Sequence, residues 1–245
     1  MEYKDDFTAK KTLWDSHCHT EFEIICILEG DITLTVEGRK FRLSNNQIAI
    51  LPPMSFHTIS SNSRMRYRRM TALIEKKEIP EEIYDYFLRS IQENPVVTHR
   101  DIPNILNQLW YSLDKPYCIP LQKSLLVQIF YIALQEENPV RAKEPSSQIA
   151  AILEYIDENI CKPITIEVIS KNTYISQSTI SHLFAREMKT TVKQYILQKK
   201  LAYGENLILS GESPTQVAHK IGYGNYSNFY RIYRKFYGKS PSGKS

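Results

Sequence analysis

Four side chains near the start of the chain have the types and spacing of a metal-ligand set. His17 and His19 flank Cys18, Glu23 follows four residues after His19, and His57 closes the run PPMSFH. On an unbroken strand His17, His19 and Glu23 share one face while Cys18 points to the other, and His57 arrives from a neighbouring strand. Three imidazoles and a carboxylate bind Zn, Fe, Ni or Mn with little selectivity. A second concentration of chemistry lies at the other end. GYGNYSNFYRIYRKFYGKSP, Gly222 to Pro241, interleaves rings with basic side chains, a composition suited to a polyanionic duplex. A helix capped by Asn225 puts Phe229, Ile232, Tyr233 and Phe236 on one apolar stripe. Tyr226, Ser227, Asn228, Tyr230, Arg231, Arg234 and Lys235 fall outside that stripe.

The elements that must hold these residues divide the chain. The run EIICILEGDITLTVEGRKFRLSNNQIAILPP breaks at Glu29-Gly30-Asp31, Glu37-Gly38 and Ser44-Asn45-Asn46, which predicts short strands in a small barrel or sandwich. SRMRYRRMTALIE predicts one more strand. The mouth of such a barrel is a natural small-molecule pocket, with Trp14, His17, His19, His57 and Tyr67 as candidate lining residues. Helices follow over 81–91, 103–113 and 120–137, each starting near a proline. The third is apolar on more than one face, through Leu121, Leu125, Leu126, Val127, Ile129, Phe130, Ile132, Ala133 and Leu134. Such a helix is buried on two sides, and the expectation is that the second side meets another copy of the chain, giving a homodimer through about 120–137. ENPVRAKEPSSQ reads as a linker. The remainder is helical over 148–160, 167–173, 177–188, 192–209, 215–221 and 226–237. The expected division is 1–79 for the sensor barrel, 80–137 for the dimerisation helices, 138–147 for the linker and 148–245 for the helical domain.

Bulk properties narrow the class. The 245 residues are 42% hydrophobic and 24% charged, ordinary for a soluble protein. No apolar run approaches the roughly 18 residues that span a bilayer. The N-terminus lacks the apolar core of a secretory signal, and four scattered cysteines without a CxxC pair fit a reduced cytoplasm. The formal charge is +4. It is unevenly spread: from Cys161 onward 13 basic residues face 4 acidic ones. A basic second half on an acidic first half is the asymmetry expected when one domain meets nucleic acid.

One unit occurs twice in the helical half. TIEVISKNTYISQSTISHLFAREMK and SPTQVAHKIGYGNYSNFYRIYRKFYGKSP each give a short helix, a turn and a longer helix with an apolar stripe. The stripe is Ile180, Leu183 and Phe184 in the first copy. This is helix-turn-helix geometry, whose second helix lies in a major groove, and the helix over 192–209 joins the two copies. The second copy carries Ala218, Ile221, Gly222, Tyr223, Phe229, Arg231, Tyr233, Arg234, Gly238, Ser240 and Pro241. The first carries Ser176, Leu183 and Phe184, and the joining helix Tyr195. In these positions the last 100 residues or so resemble the DNA-binding domain of the AraC/XylS family of bacterial transcription regulators. Two departures stand out: Tyr174 where that family's first turn has Gly, and Gly204 mid-helix where Ala is usual. The resemblance implies that Gln177, Ser178, Thr179, Ser181 and His182 face one groove, and Tyr226, Ser227, Asn228 and Arg231 the next. Arg231 suits guanine and Asn228 adenine. Lys189, Lys193, Lys200, Arg234 and Lys235 suit phosphates, which position without specifying.

His17-x-His19, three residues, Glu23, six residues and Gly30 is similar to the first motif of the cupin superfamily. Pro52 to His57 resembles the second, with Met54 in place of Gly and without the trailing Asn. The resemblance implies an α+β two-domain chain: a cupin-like barrel with helices, then an all-α tandem helix-turn-helix. The resulting expectation is a cytoplasmic, non-enzymatic regulator of double-stranded promoter DNA, an activator rather than a repressor. It engages RNA polymerase and answers to a small-molecule effector. No cofactor is required, although a divalent metal at His17, His19, Glu23 and His57 is an open alternative. Two rivals stand beside it: a metal-dependent cupin enzyme with a DNA-binding tail, and a ligand-independent dimeric regulator.

Overall fold

Period-two alternation of apolar residues builds the first half of the chain. The computed structural model describes residues 2–7, 17–62, 66–112, 115–135 and 140–242; Trp14 lies outside them. The strands are β1 (Glu2–Phe7), β2 (Phe22–Glu29), β3 (Ile32–Val36), β4 (Arg39–Leu43), β5 (Ile48–Leu51), β6 (His57–Ser61), β7 (Arg66–Ile74) and β8 (Val96–Val97). They form two antiparallel sheets, β1-β7-β2-β5-β8 and β4-β3-β6. The expected barrel thus takes the form of two sheets sharing one core. Along β2, Ile25 and Ile27 pack with Ile32, Leu34, Phe41, Leu43, Ile59 and Tyr67 between the sheets. The alternate residues Phe22, Ile24 and Cys26 pack on the opposite face. There they meet helices α1 (Glu81–Glu93), α2 (Ile102–Ser112) and α3 (Ile119–Leu134). Phe87 joins Phe22 and Phe130 with ring centroids 5.9 and 4.7 Å away, and Trp110 packs half-buried against the same core.

Turn chemistry fixes the strand register. Glu37 and Gly38 both have positive φ, 45° and 79°, the pair a tight hairpin turn needs to match strand twist. Met54 also sits in the left-handed region at φ 63°, so it occupies the conformation that a glycine adopts most easily.

The second half is capped helices. They are α4 (Ser147–Glu158), α5 (Ile166–Thr173), α6 (Gln177–Leu183), α7 (Val192–Leu209), α8 (Pro214–Lys220) and α9 (Tyr226–Tyr237). At every start a short polar side chain accepts a backbone N–H: Ser146, Thr165, Ser176, Thr191, Ser213 and Asn225. Each cap satisfies a donor the helix leaves orphaned and is worth about 1 kcal/mol. A π-turn over Phe184–Met188 extends α6, so the expected helix to 188 is α-helical only to Leu183. The described residues fall into two compact units: β1 with residues 21–143 form the first, and residues 17–20 group with those from Glu144 onward in the second. No helix among the described residues is long and apolar enough to cross a membrane.

Candidate nucleic-acid interface and ligand sites

The first helix-turn-helix copy is α5 and α6. Its turn passes through Tyr174 in the left-handed region (φ 57°) with the ring 95% exposed. A non-glycine residue there costs about 1–2 kcal/mol. On α6, Ile180, Leu183 and Phe184 are buried, and Phe184 stands edge-on to buried Tyr195 at 5.5 Å. Gln177, Ser178, Ser181 and His182 are exposed on the other face. Thr179 is half-buried, and its hydroxyl lies 2.8 Å from the Ser176 cap hydroxyl, so it is partly committed to holding the helix start.

The second copy is α8 and α9. Phe229 and Tyr233 are buried and Ile232 half-buried. Phe236 departs from expectation: it is 39% exposed, and Tyr237 takes its place in the core, 4.7 Å from the Tyr233 ring. The stripe turns by one residue because buried Glu205 on α7 accepts from both the Tyr233 hydroxyl and Lys239 Nζ, drawing the end of α9 toward α7. Burial and this carboxylate push the Tyr233 hydroxyl pKa up. Ser227, Arg231, Arg234 and Lys235 are exposed. Arg231 donates to Asn228 Oδ1 at 3.1 Å, and the Asn228 N–H donates to the Asn225 cap at 2.8 Å. Tyr226 is half-buried, with its ring 6.3 Å from Phe229 and 6.0 Å from Tyr230, so it packs as well as faces outward.

Helix α7 holds both copies. Lys200, expected on a phosphate, is instead buried. Its ammonium donates to the carbonyls of Lys162 (2.7 Å) and Ile221 (2.6 Å), and burial lowers its pKa below that of an ordinary lysine. A Cβ at Gly222 would stand 3.1 Å from that ammonium and 3.1 Å from the Cys161 carbonyl. Glycine is needed there for close approach as well as for its φ of 83°. Gly204 has a similar reason. A Cβ on it would meet Ile221 Cδ1 at 2.9 Å and Val217 Cγ1 at 3.3 Å, so the mid-helix glycine lets α8 lie close. Lys189 and Lys193 are exposed.

In the first unit, Glu23 and His57 are both buried, with His57 Nε2 2.9 Å from Glu23 Oε2. His57 Nδ1 donates to the Ser55 carbonyl at 3.0 Å, which directs the other ring nitrogen at the carboxylate. Two acceptors at that distance need a proton or a cation between them. His17 is exposed and His19 half-buried, with ring centroids 5.5 Å apart. They do not lie on β2 as expected. A bend at Thr20–Glu21 separates them from the strand, so the parity of β2 does not carry back to them. His17 and His19 belong to the second unit, and Glu23 and His57 to the first. Within the first unit the buried His57–Glu23 pair is the part of the expected donor set that lies together, and imidazole with carboxylate is donor chemistry suited to a divalent ion. Tyr67, an expected pocket residue, is buried in the core between the sheets.

Residues 7–130 match the AraC-like ligand binding domain and residues 169–243 a helix-turn-helix domain. The probable transcriptional regulator LumQ of Photobacterium leiognathi is 34% identical over 99% of this chain and 97% of its own length. The chain belongs to the AraC/XylS family of transcription regulators. It is accordingly a DNA-binding regulator with a ligand-binding domain, and its relatives are regulators rather than enzymes. The regulatory protein SoxS of Salmonella typhimurium is 28% identical over 38% of this chain and 89% of its own. The crystal structure of ToxT from Vibrio cholerae O395 is similar over 98% of this chain and 94% of that one, at 13% identity and a TM-score of 0.45.

Proposed function

We propose that this AraC/XylS regulator is an effector-responsive homodimer that activates promoters in the cytoplasm, with α6 and α9 entering neighbouring major grooves. The supporting observation is the pair of capped helices that each bury one apolar stripe and leave short polar or basic side chains on the opposite face. Arg231, steadied by Asn228, takes guanine, and Asn228 takes adenine once Arg231 turns to its base. Gln177, Ser178, Ser181 and His182 read through hydroxyls, amide and water. Lys189, Lys193, Arg234 and Lys235 hold phosphates.

Dimerisation runs through α3. Its buried side carries Leu125, Leu126, Ile129, Phe130 and Ala133, while Leu121, Val127 and Tyr131 remain exposed. An effector in the first unit shifts the population of DNA-competent arrangements, and RNA polymerase is the partner of the bound dimer. Selection of duplexes from a random library by the full chain should return sites with two short blocks. On such a site Arg231→Ala should cost about 1–3 kcal/mol and relax one base position. Unchanged affinity and unchanged sequence preference would remove Arg231 from the readers. If no duplex is enriched, the regulator reading of this chain fails.

The second reading concerns metal. His17, His19, Glu23 and His57 would hold a divalent ion through three imidazoles and a carboxylate, and the ion would supply a Lewis-acidic contact for an effector. Protein stripped with chelator and reloaded should retain one equivalent of zinc that His19→Ala loses. Equal zinc content in both proteins would reject the site.

A further inference from the structure

A cleft in the DNA-binding unit is lined by residues between Ile164 and Ile196, none of them on α9. It has a volume of about 460 Å³, within the roughly 300–1,000 Å³ of small-molecule sites. Its walls come from three places. Ile164 and Ile166 lead into α5, Val192 and Ile196 lie on the first turns of α7, and Ser181 and Ala185 project from α6 and its π-turn. The surface is therefore apolar over most of its extent, with polar groups at the starts of α5 and α7 and Ser181 on α6.

Those polar groups differ in what they have left to offer. The Thr165 and Thr191 hydroxyls each accept a backbone N–H, from Val168 at 3.3 Å and Gln194 at 3.2 Å. Glu167 is hydrogen-bonded by the Thr165 side chain and by its own backbone N–H, which hold its carboxyl below the usual range. The carboxylate therefore stays ionised, with acceptor capacity taken up by those two donors. Lys193 also lines the cleft, and among the described residues it has no hydrogen-bond or ion-pair partner. Lys193 is thus the group on this largely apolar wall that can anchor a ligand with an apolar body and a single negative group, while Glu167 sets the side of the cleft that such a ligand avoids.

We propose that this cleft binds a small amphipathic carboxylate, and that its occupant competes with DNA at the first reading helix. The competition follows from shared residues. Ser181 is on the cleft wall and on the exposed face of α6, and a Lys193 ammonium whose charge is neutralised by a bound carboxylate attracts a phosphate less. The competition rests on the DNA reading given above; the binding of the acid does not. Control would then act directly on the helix-turn-helix unit, beside any effector of the first unit.

The test uses the full chain with 3-phenylpropanoate as probe and 3-phenylpropanamide as its uncharged control. Calorimetry measures affinity, and hydrogen exchange locates the contact. The acid should slow exchange across residues 164–167 and 181–196. Lys193→Gln should weaken the acid about tenfold, the loss expected for one charged hydrogen bond, and leave the amide nearly unchanged. Ala185→Leu, on an exposed position, should fill the cleft and abolish binding of both without lowering the melting temperature. Absence of acid binding, protection confined to residues 21–143, or full binding by Ala185→Leu would each overturn the proposal. So would an equal loss of acid and amide in Lys193→Gln. With a duplex recovered by selection, the acid should weaken DNA binding by wild type but not by Ala185→Leu. Failure to recover any duplex would count against the DNA reading alone, since the titration still decides the cleft.

Discussion

Lys200 shows what one residue's surroundings do to its role. Sequence presents it as one more cation in a basic half, and a phosphate contact is the natural expectation. Burial against two carbonyls makes it a pin between the end of α4 and the turn ahead of α9. Lys200→Met should cost about 2 kcal/mol in urea unfolding, since two buried carbonyls lose a charged donor while the desolvated charge is also removed. The pH dependence has a definite sign. Burial lowers the folded pKa of Lys200, so the unfolded chain holds that proton more tightly. Stability of the wild type should therefore rise relative to Lys200→Met as pH climbs through the folded pKa toward the ordinary lysine range. A constant difference across that window would show that the ammonium is not desolvated. The metal-type residues give the opposite lesson. Spacing alone brought His17, His19, Glu23 and His57 forward as a set, although the bend that separates the two leading histidines from β2 was not legible in a run read as one strand.

At the level of elements, helix starts were legible because the capping chemistry is local. Ser176, Thr191, Ser213 and Asn225 announce their helices, and α7 and α9 begin and end where periodicity puts them. Helix ends were less legible. The π-turn after α6 and the exchange of Phe236 for Tyr237 depend on contacts with α7, which no window on one helix contains. The turn at Tyr174 lies between these cases: its unsuitable residue is visible in sequence, and its left-handed backbone in structure. Tyr174→Gly should raise the unfolding free energy by about 1 kcal/mol, the strain relieved less the freedom that glycine adds to the unfolded chain. Thermal or urea unfolding measures it, and a loss of stability would mean that the exposed ring contributes contacts which outweigh the backbone cost. Gly204 teaches the reverse. Its propensity cost of about 1 kcal/mol accompanies close packing of α8, a reason that lies wholly in the neighbouring element.

For the whole molecule, the division near residue 143 was readable from the polar, proline-bearing stretch before it and from the charge asymmetry, whereas the change of periodicity near residue 80 marks only the passage from strands to helices within the ligand-binding part. The role of α3 was readable only as two-sided apolarity. In the structure one side is buried and the other, with Val127 and Tyr131, is exposed. Replacing both, Val127→Glu with Tyr131→Lys, should convert a dimer to monomers in sedimentation without unfolding the first unit, because neither side chain belongs to its core. A monomeric wild type would refute the dimer, and an undisturbed dimer in the double variant would assign the subunit contact elsewhere.

The distribution of one residue type has an optical consequence. Both tryptophans, Trp14 and Trp110, precede residue 111, and Trp110 packs against the sheet-and-helix core. The chain from Glu144 onward has tyrosine and phenylalanine but no tryptophan. Indole fluorescence is thus a private channel for the ligand-binding unit. The DNA-binding unit can melt in silence on that channel, and a melt followed by indole emission beside one followed by circular dichroism separates the two transitions in a single unlabelled sample.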